Sequence, residues 1–354
     1  MSDLYVELTP ITQLLPHPNA DRLEIAVVQG TQSLVPVGEF VEGEKVLFFP
    51  PDMLIPPAVS EALGVQNYLK NSDYEGERCK CRIAACRLRG VPSYGFIVKR
   101  PLDLPLRKFN DFSDLYGAIK YDPPINLSHG DVERPDLIFH QYTSIQHYWR
   151  YKNAIADGTK VRITEKLHGS NSRVGLVKTD DGFEFMAGSH RTRRKEPEEG
   201  QTSLYWTPLD NPKLRQLLKN FSAGHQTVIV FGEIYGQSIQ DMDYGTKDGY
   251  RVFDISVDGQ YLDWAQVEAW CNLYDIPTVP LLYLGPISKE IVEEHTYGPT
   301  TLANPDGIKS RYKGREGCVI TPIEETFYAP TGGRLILKSV SADYLDRKGA
   351  TDNE

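Results

Sequence analysis

After residue 150 the chain runs through seven short stretches that are apolar or alternate apolar with polar: VRITEKL, RVGLVK, FEFMAG, VIVFGEIYG, RVFDISV, GCVITP and RLILKSV. Each is short and rich in Val, Ile or Phe, so each predicts a strand. Between them, NPKLRQLLKNF and WAQVEAWCNLY place apolar residues at helical spacing. Strands interspersed with helices predict an α+β architecture around antiparallel sheets, over residues 151–345. The first ~130 residues read differently. YVELTPI, RLEIAVVQG, KVLFFP, CRIAACRLRG and YGFIVKR predict short strands separated by Gly, Pro and Asn/Asp turns. That pattern suits a small barrel or sandwich. PPAVSEALGV predicts a helix with Pro at its start. The polar, proline-bearing stretch 121–136 and the residues to about 150 predict a linker, and 346–354 a frayed tail.

Net charge is −9, which argues against a wholly basic nucleic-acid binder. The charge is uneven, however. Residues 78–108 hold nine Lys/Arg against one Asp, and Arg191, Arg193, Arg194 and Lys195 form a second cluster. Such stripes neutralise phosphates on an otherwise acidic protein; they also occur as plain solvated faces. No run of 18 apolar residues predicts a membrane span, and MSDLYVELTP lacks the basic and apolar regions of a secretory signal. Of five cysteines, three lie in RCKCRIAAC, whose spacing matches no CxxC pair. Reduced thiols in an intracellular protein are expected.

The chemistry concentrates in ITEKLHGSNSRVG, residues 163–175. Strand parity puts Val161, Ile163, Glu165 and Leu167 on one face and Arg162, Thr164 and Lys166 on the other. Lys166 therefore ends a strand at the rim of a sheet, just before Gly169. Alone, such a lysine is ordinary. Four further signals follow it in order: Glu233 ending an apolar run, Phe253 within a strand, Glu316 just before another apolar run, and Lys338 in RLILKSVS.

This ordered set resembles the covalent nucleotidyltransferase superfamily of ATP-dependent ligases and capping enzymes. KLHG at 166–169 looks like its motif I, GSHRT at 188–192 like Ia and FGEIYG at 231–236 like III. VFDIS at 252–256 looks like IIIa, EGCVI at 316–320 like IV and LILKS at 335–339 like V. The form EKxHGxN is similar to the RNA ligase 2-like branch, where histidine replaces the aspartate of KxDG. LTPITQLLPHPNADRLEIAVVQG and RLRGVPSYGFIV resemble an OB-fold domain of the tRNA-binding type. An OB domain joined to such a catalytic domain is the layout of the Deinococcus-type RNA ligases (the RNA ligase 5 family). The resemblance covers nearly the whole chain. It implies an OB-fold β-barrel over 1–130, followed by a nucleotidyltransferase (ATP-grasp-like ligase) domain.

The resemblance also implies roles. Lys166 would carry AMP as a phosphoamide. Glu165 would lie beside the adenine, and His168 and Asn171 would face the phosphate or the water shell of a metal. Arg191 would hold the ribose or a 5′-phosphate end, with Arg193 as competitor. Glu233 would take a ribose hydroxyl or a metal-bound water, Phe253 would stack on adenine, and Glu316 would help hold Mn²⁺ or Mg²⁺. Lys338 would contact the α-phosphate. Arg82, Arg87, Arg89, Lys99, Arg100, Arg193 and Arg194 would grip nucleic acid. Tyr94 and Phe96 are candidate base-stacking residues, though packing in the barrel suits Phe96 better.

One departure matters. Many relatives carry two lysines in motif V, and here Ile336 takes the first place, leaving Arg334 as candidate for the missing cation. The implied reaction seals nicked duplexes with RNA on the 3′-hydroxyl side, by an ATP-dependent, monomeric enzyme with no membrane partner. DNA ligases and capping enzymes share the motifs but usually add an OB domain after motif V. A catalytically inactive OB-fold RNA-binding protein is the other alternative.

Overall fold

A computed structural model of the chain describes residues 4–107, 109–122, 131–237, 239, 240, 242, 244–302 and 314–345. The expected tail, 346–354, lies outside the described residues. The chain divides near residue 124 into two units, residues 2–124 and 125–352.

The first unit is built from antiparallel ladders. Glu7–Pro10 and Phe96–Lys99 flank Lys45–Phe49. Gln13–Pro16, Leu23–Val28 and Thr31–Pro36 form a meander. Lys70–Tyr74, Glu77–Arg82, Met53–Leu54 and Ile119–Lys120 make a further sheet, and Cys86–Leu88 pairs with Val91–Ser93. KVLFFP does not alternate because it is covered on both faces. Val46 and Phe48 join an apolar cluster with Ile11, Val28 and Ile97, while Leu47 and Phe49 join another with Val6, Met53 and Ile83. Phe96 stacks on Phe49, with ring centroids 4.7 Å apart, so it packs the core. The expected helix forms at Pro57–Ala62, its proline where no backbone donor is needed. Among the described residues no sheet of this unit closes on itself. The observed architecture is therefore antiparallel β in separate ladders, and not the single closed ladder expected of a barrel.

The second unit carries two larger sheets. The order of the first is Gln146–His147, Leu337–Val340, Gly317–Pro322, Lys160–Lys166, Leu281–Pro286. That of the second is Arg193–Arg194, Gly182–Ser189, Ser170–Thr179, Thr227–Tyr235, Gly249–Val257, Gln260–Tyr261. All neighbours are antiparallel except Gln146–His147 beside Leu337–Val340. Both expected helices form. Pro212–Phe221 is capped by Asn211, which accepts the Lys213 N–H at 2.9 Å. It buries Leu214, Leu217 and Leu218 completely against the second sheet's core. Each leucine so buried contributes about 2 kcal/mol. Trp264–Leu273 begins with a reciprocal Asp263/Gln266 capping box.

Residues 131–150, expected as a linker, are bonded into this unit. The Glu133 N–H donates to the Arg193 carbonyl at 3.0 Å, and Lys195 N–H to the Asp131 carbonyl at 2.7 Å. Phe139, Tyr142 and Tyr148 are buried. Polar and proline residues dominate the stretch's composition, but its spaced aromatics anchor it. RLILKSV, expected as one strand, is interrupted. Gly333–Arg334 pairs with Phe327–Tyr328, and the next paired strand begins at Leu337. Between them Leu335 and Ile336 enter different apolar clusters, which two consecutive residues of a regular strand also do by pointing to opposite faces. The Leu335 N–H still donates across the hairpin to the Thr326 carbonyl at 2.8 Å, and the break comes at Ile336, whose N–H turns back to the Arg334 carbonyl at 3.1 Å.

Candidate active site

Lys166 ends the strand that lies between Gly317–Pro322 and Leu281–Pro286 in the five-stranded sheet, and it stands opposite Gly317. Directly opposed residues share a face, so register places Thr164, Val319 and Lys338 in one row across three strands. Lys166 and Lys338 therefore project from the same face. Gly317 has no side chain to obstruct that row; a Cβ there would lie 2.0 Å from the Ser339 carbonyl oxygen. The residue before it, Glu316, is 3% exposed. Its carboxylate receives the Lys166 ammonium through Oε1, and its Oε2 lies 3.7 Å from His168 Nδ1. Burial works against the ionised form of Glu316, but Lys166 and His168 outweigh it. The carboxyl is held below the usual carboxylate range.

The turn after Lys166 brings the chain from the first sheet to the second. Gly169 is required there, because a Cβ would fall 2.2 Å from the Ile234 carbonyl oxygen and 3.0 Å from Glu233 Cγ. His168 on this turn is held twice. Its N–H donates to the Tyr244 hydroxyl at 2.7 Å, and its Nδ1 lies 2.8 Å from the Tyr344 hydroxyl. Two residues past Gly169, Asn171 stands opposite Glu233 on the neighbouring strand. Tyr244 is 2% exposed. Burial raises its pKa far above the ordinary phenol value, and the charges of Glu316, Glu165 and Glu233 add to the effect.

Glu165 points to the sheet face opposite Lys166. Its Oε2 accepts the Thr301 N–H at 2.9 Å and the Thr301 hydroxyl at 2.6 Å, while Oε1 is buried with no partner among the described residues. Asn171 Oδ1 is likewise buried and unpartnered. Phe253 is half-buried, its ring edge-on to Tyr142 at 4.8 Å. Phe231 opposes Asp254 and Gly232 opposes Val252, so Phe253 is the extra residue of a β-bulge. Bulges re-aim side chains in this way. Arg191 sits in a tight turn closed by Ser189 and Thr192, whose hydroxyls are 2.8 Å apart. Lys338 is 1% exposed.

The reading of Arg334 as a spare cation is corrected. Its guanidinium donates twice to Glu325, at 2.6 Å each, and to Asp254 Oδ2 at 2.8 Å, and it lies 3.6 Å over the Tyr261 ring. With the strand interrupted at Leu335–Ile336, strand parity no longer carries Arg334 to the face of Lys338. Ile336 is 2% exposed in an apolar cluster with Phe139, Tyr142 and Phe231.

The residues assigned to nucleic acid divide into two groups. Arg193 is ion-paired with Glu133 at 2.7 Å and Glu184 at 3.0 Å, Arg194 with Asp131 at 2.8 Å, and Arg82 with Asp52 at 2.6 Å. Arg87, Arg89, Lys99 and Arg100 are exposed. Sequence reasoning missed Tyr244, Tyr344 and Thr301. None sits in a motif, and only chain-distant contacts reveal them. Tyr344, two residues before the expected tail, is 1% exposed.

Residues 159–340 match the RNA ligase family model. Among solved structures, a mutant Naegleria gruberi RNA ligase in its apo form is similar, with a TM-score of 0.72 at 23% identity over 97% of this chain and 98% of that one. A mutant of a Naegleria gruberi RNA ligase with ATP and Mn gives 0.71 at 22% identity, over 97% and 98%. Another with AMP and Mn gives 0.71 at 22%, over the same 97% and 98% shares. At such identity the likeness is one of fold. No curated protein sequence matches the chain.

Proposed function

The chain belongs to the RNA ligase family, and we propose that it joins RNA 3′-hydroxyl and 5′-phosphate ends with ATP, through AMP carried on Lys166. The observation that carries this reading is the contact of Lys166 with Glu316 beside His168, on the sheet face shared with Lys338.

The residues fit a nucleotide and a divalent cation. Glu165 Oε1 and Asn171 Oδ1 are buried acceptors in need of donors, as an adenine amino group, a ribose hydroxyl or a metal-bound water would be. Glu233 and Glu316 offer the carboxylate oxygens that Mn²⁺ or Mg²⁺ takes. Among the described residues no cluster of three or more His, Cys, Asp and Glu forms, so phosphate and water oxygens would complete the shell. A cation bound there supplies positive charge against the charge spreading over the phosphate oxygens.

In the first step the Lys166 amine attacks the α-phosphorus of ATP and pyrophosphate leaves. Glu316 holds Lys166 as an ammonium in the free enzyme. Its carboxyl is held below its ordinary range, which suits it to anchoring the ammonium. The amine becomes nucleophilic when that ion pair is loosened and the ammonium has given its proton to water. Lys338 places a second positive charge on the same face, where negative charge develops. In the second step AMP passes to a 5′-phosphate. In the third a 3′-hydroxyl attacks that activated end and AMP leaves. Phe253, re-aimed by its bulge, is the candidate for stacking on the base.

The finer placement is with the Deinococcus-type (RNA ligase 5) family, with an OB-type first unit that grips nicked duplexes through Arg87, Arg89, Lys99 and Arg100. An antiparallel β unit preceding the ligase domain, with those cations exposed, supports it. The test is sealing of a panel of nicked duplexes that vary RNA and DNA on each side of the nick. Sealing that requires RNA at the 3′-hydroxyl is expected. Equal sealing of all-DNA nicks would refute the strand preference.

A further inference from the structure

We propose that Tyr344 is a positioning residue for the ligase reaction: its hydroxyl sets the His168 ring beside one oxygen of Glu316 while the other oxygen holds Lys166. The inference rests on the reading of Lys166 as the AMP carrier. Three observations support it.

The first is the contact itself. The Tyr344 hydroxyl lies 2.8 Å from His168 Nδ1, with the rings edge-to-face at 5.3 Å between centroids. The same nitrogen lies 3.7 Å from Glu316 Oε2. Tyr344 and Glu316 thus flank one nitrogen, and the tyrosine holds it at hydrogen-bond distance. Without the hydroxyl the imidazole loses the bond that sets its angle to Glu316 Oε2, while Lys166 stays on Oε1.

The second is that Tyr344 is fixed. It is 1% exposed in the apolar cluster that contains Tyr244, Met242 and Val252. The third is the way its short helix, Ala342–Leu345, is tied to the Glu316 segment. The Ser341 N–H donates to the Glu316 carbonyl at 2.8 Å, and the Ser341 hydroxyl to the Arg315 carbonyl at 3.2 Å. The same hydroxyl accepts the Tyr344 N–H at 3.2 Å. One segment therefore fixes the backbone of Glu316 and, through one phenol, the ring of His168. A tyrosine needed for packing alone would be replaceable by phenylalanine.

The test is Tyr344→Phe in the full chain, which keeps the ring and removes the hydroxyl. It is assayed beside His168→Ala and the double variant for the rate of Lys166 adenylylation and the KM for ATP. Tyr344→Phe is expected to lower the rate about tenfold, the effect of one buried hydrogen bond, with KM moving less than about twofold. In the His168→Ala background it is expected to cause no further loss. A rate within about twofold of the parent, or the same loss repeated in the His168→Ala background, would overturn the proposal. A general folding defect would appear in both backgrounds and so counts against it. A parent chain that forms no lysyl-AMP would instead refute the reading on which the proposal rests.

Discussion

Replacing Lys166 by methionine strands the carboxylate of Glu316. The Glu316 side chain is 4% exposed, against 12% for Lys166. Removing one partner of a buried ion pair costs about 3–5 kcal/mol, because the other charge is left without compensation. Here His168 stays 3.7 Å from the second carboxylate oxygen. The expected cost is therefore somewhat lower, about 2–3 kcal/mol at neutral pH. Glu316→Gln leaves an ammonium nearer to water, with an expected cost of about 1–2 kcal/mol. The double variant removes both charges and should cost less than the sum of the two, with a coupling of about 2 kcal/mol.

The dependence on pH has a definite sign. In the parent, Glu316 has a lowered pKa. Its contribution is complete above the ordinary carboxylate value and is lost as pH falls through the lower folded value. In Lys166→Met, burial without the ammonium raises the folded pKa above the unfolded one. The penalty is then full at neutral pH and fades as pH falls through the raised value toward about 4.3. All four tryptophans, Trp149, Trp206, Trp264 and Trp270, belong to the second unit. Urea unfolding followed by tryptophan fluorescence therefore reports on that unit. A Lys166→Met variant as stable as the parent at pH 7.5, or a penalty unchanged at pH 4.5, would refute the reasoning.

Further outcomes follow from packing. Gly169→Ala should destabilise the second unit by at least about 2 kcal/mol, since the new Cβ meets backbone and cannot be relieved by a rotamer change; a neutral result in the same urea assay would contradict the close approach. Phe253→Leu should raise the KM for ATP several-fold while the KM for the nicked strand stays level, and steady-state kinetics with each substrate varied would detect the reverse. Leu217→Ala, at a site with no exposure, should cost about 2–5 kcal/mol. Loss of that size with adenylylation intact on the folded fraction would mark it as core; loss of adenylylation without loss of stability would not fit.

The strands of the second unit were readable because their apolar runs are bounded by turn residues, and Lys166 and Glu233 were readable because each lies at or near the end of such a run. Leu281–Pro286 was not. It is an edge strand of mixed exposure, and LLYLGP carries no clean alternation. Helix Lys289–Thr296 buries Val292 and Thr296 and packs Ile291 beside them but is otherwise polar, so its apolar stripe is too thin to see. The break at Leu335–Ile336 was hidden because an apolar run gives no sign of where pairing stops. His168 was visible as a motif residue, but its two tyrosine partners lie 76 and 176 residues away in sequence. No local spacing encodes contacts of that range. Arg334 misled for a related reason: its pairing with Asp254, 80 residues distant, uses up the charge.

The central claim is that Lys166 carries AMP. Intact-mass analysis after incubation with ATP and Mn²⁺, followed by peptide mapping, tests it most directly. A mass increase of one AMP, mapped to Lys166 and absent in Lys166→Ala, is the expected result. No adduct on the parent chain, or an adduct that persists on another lysine of the variant, would contradict it.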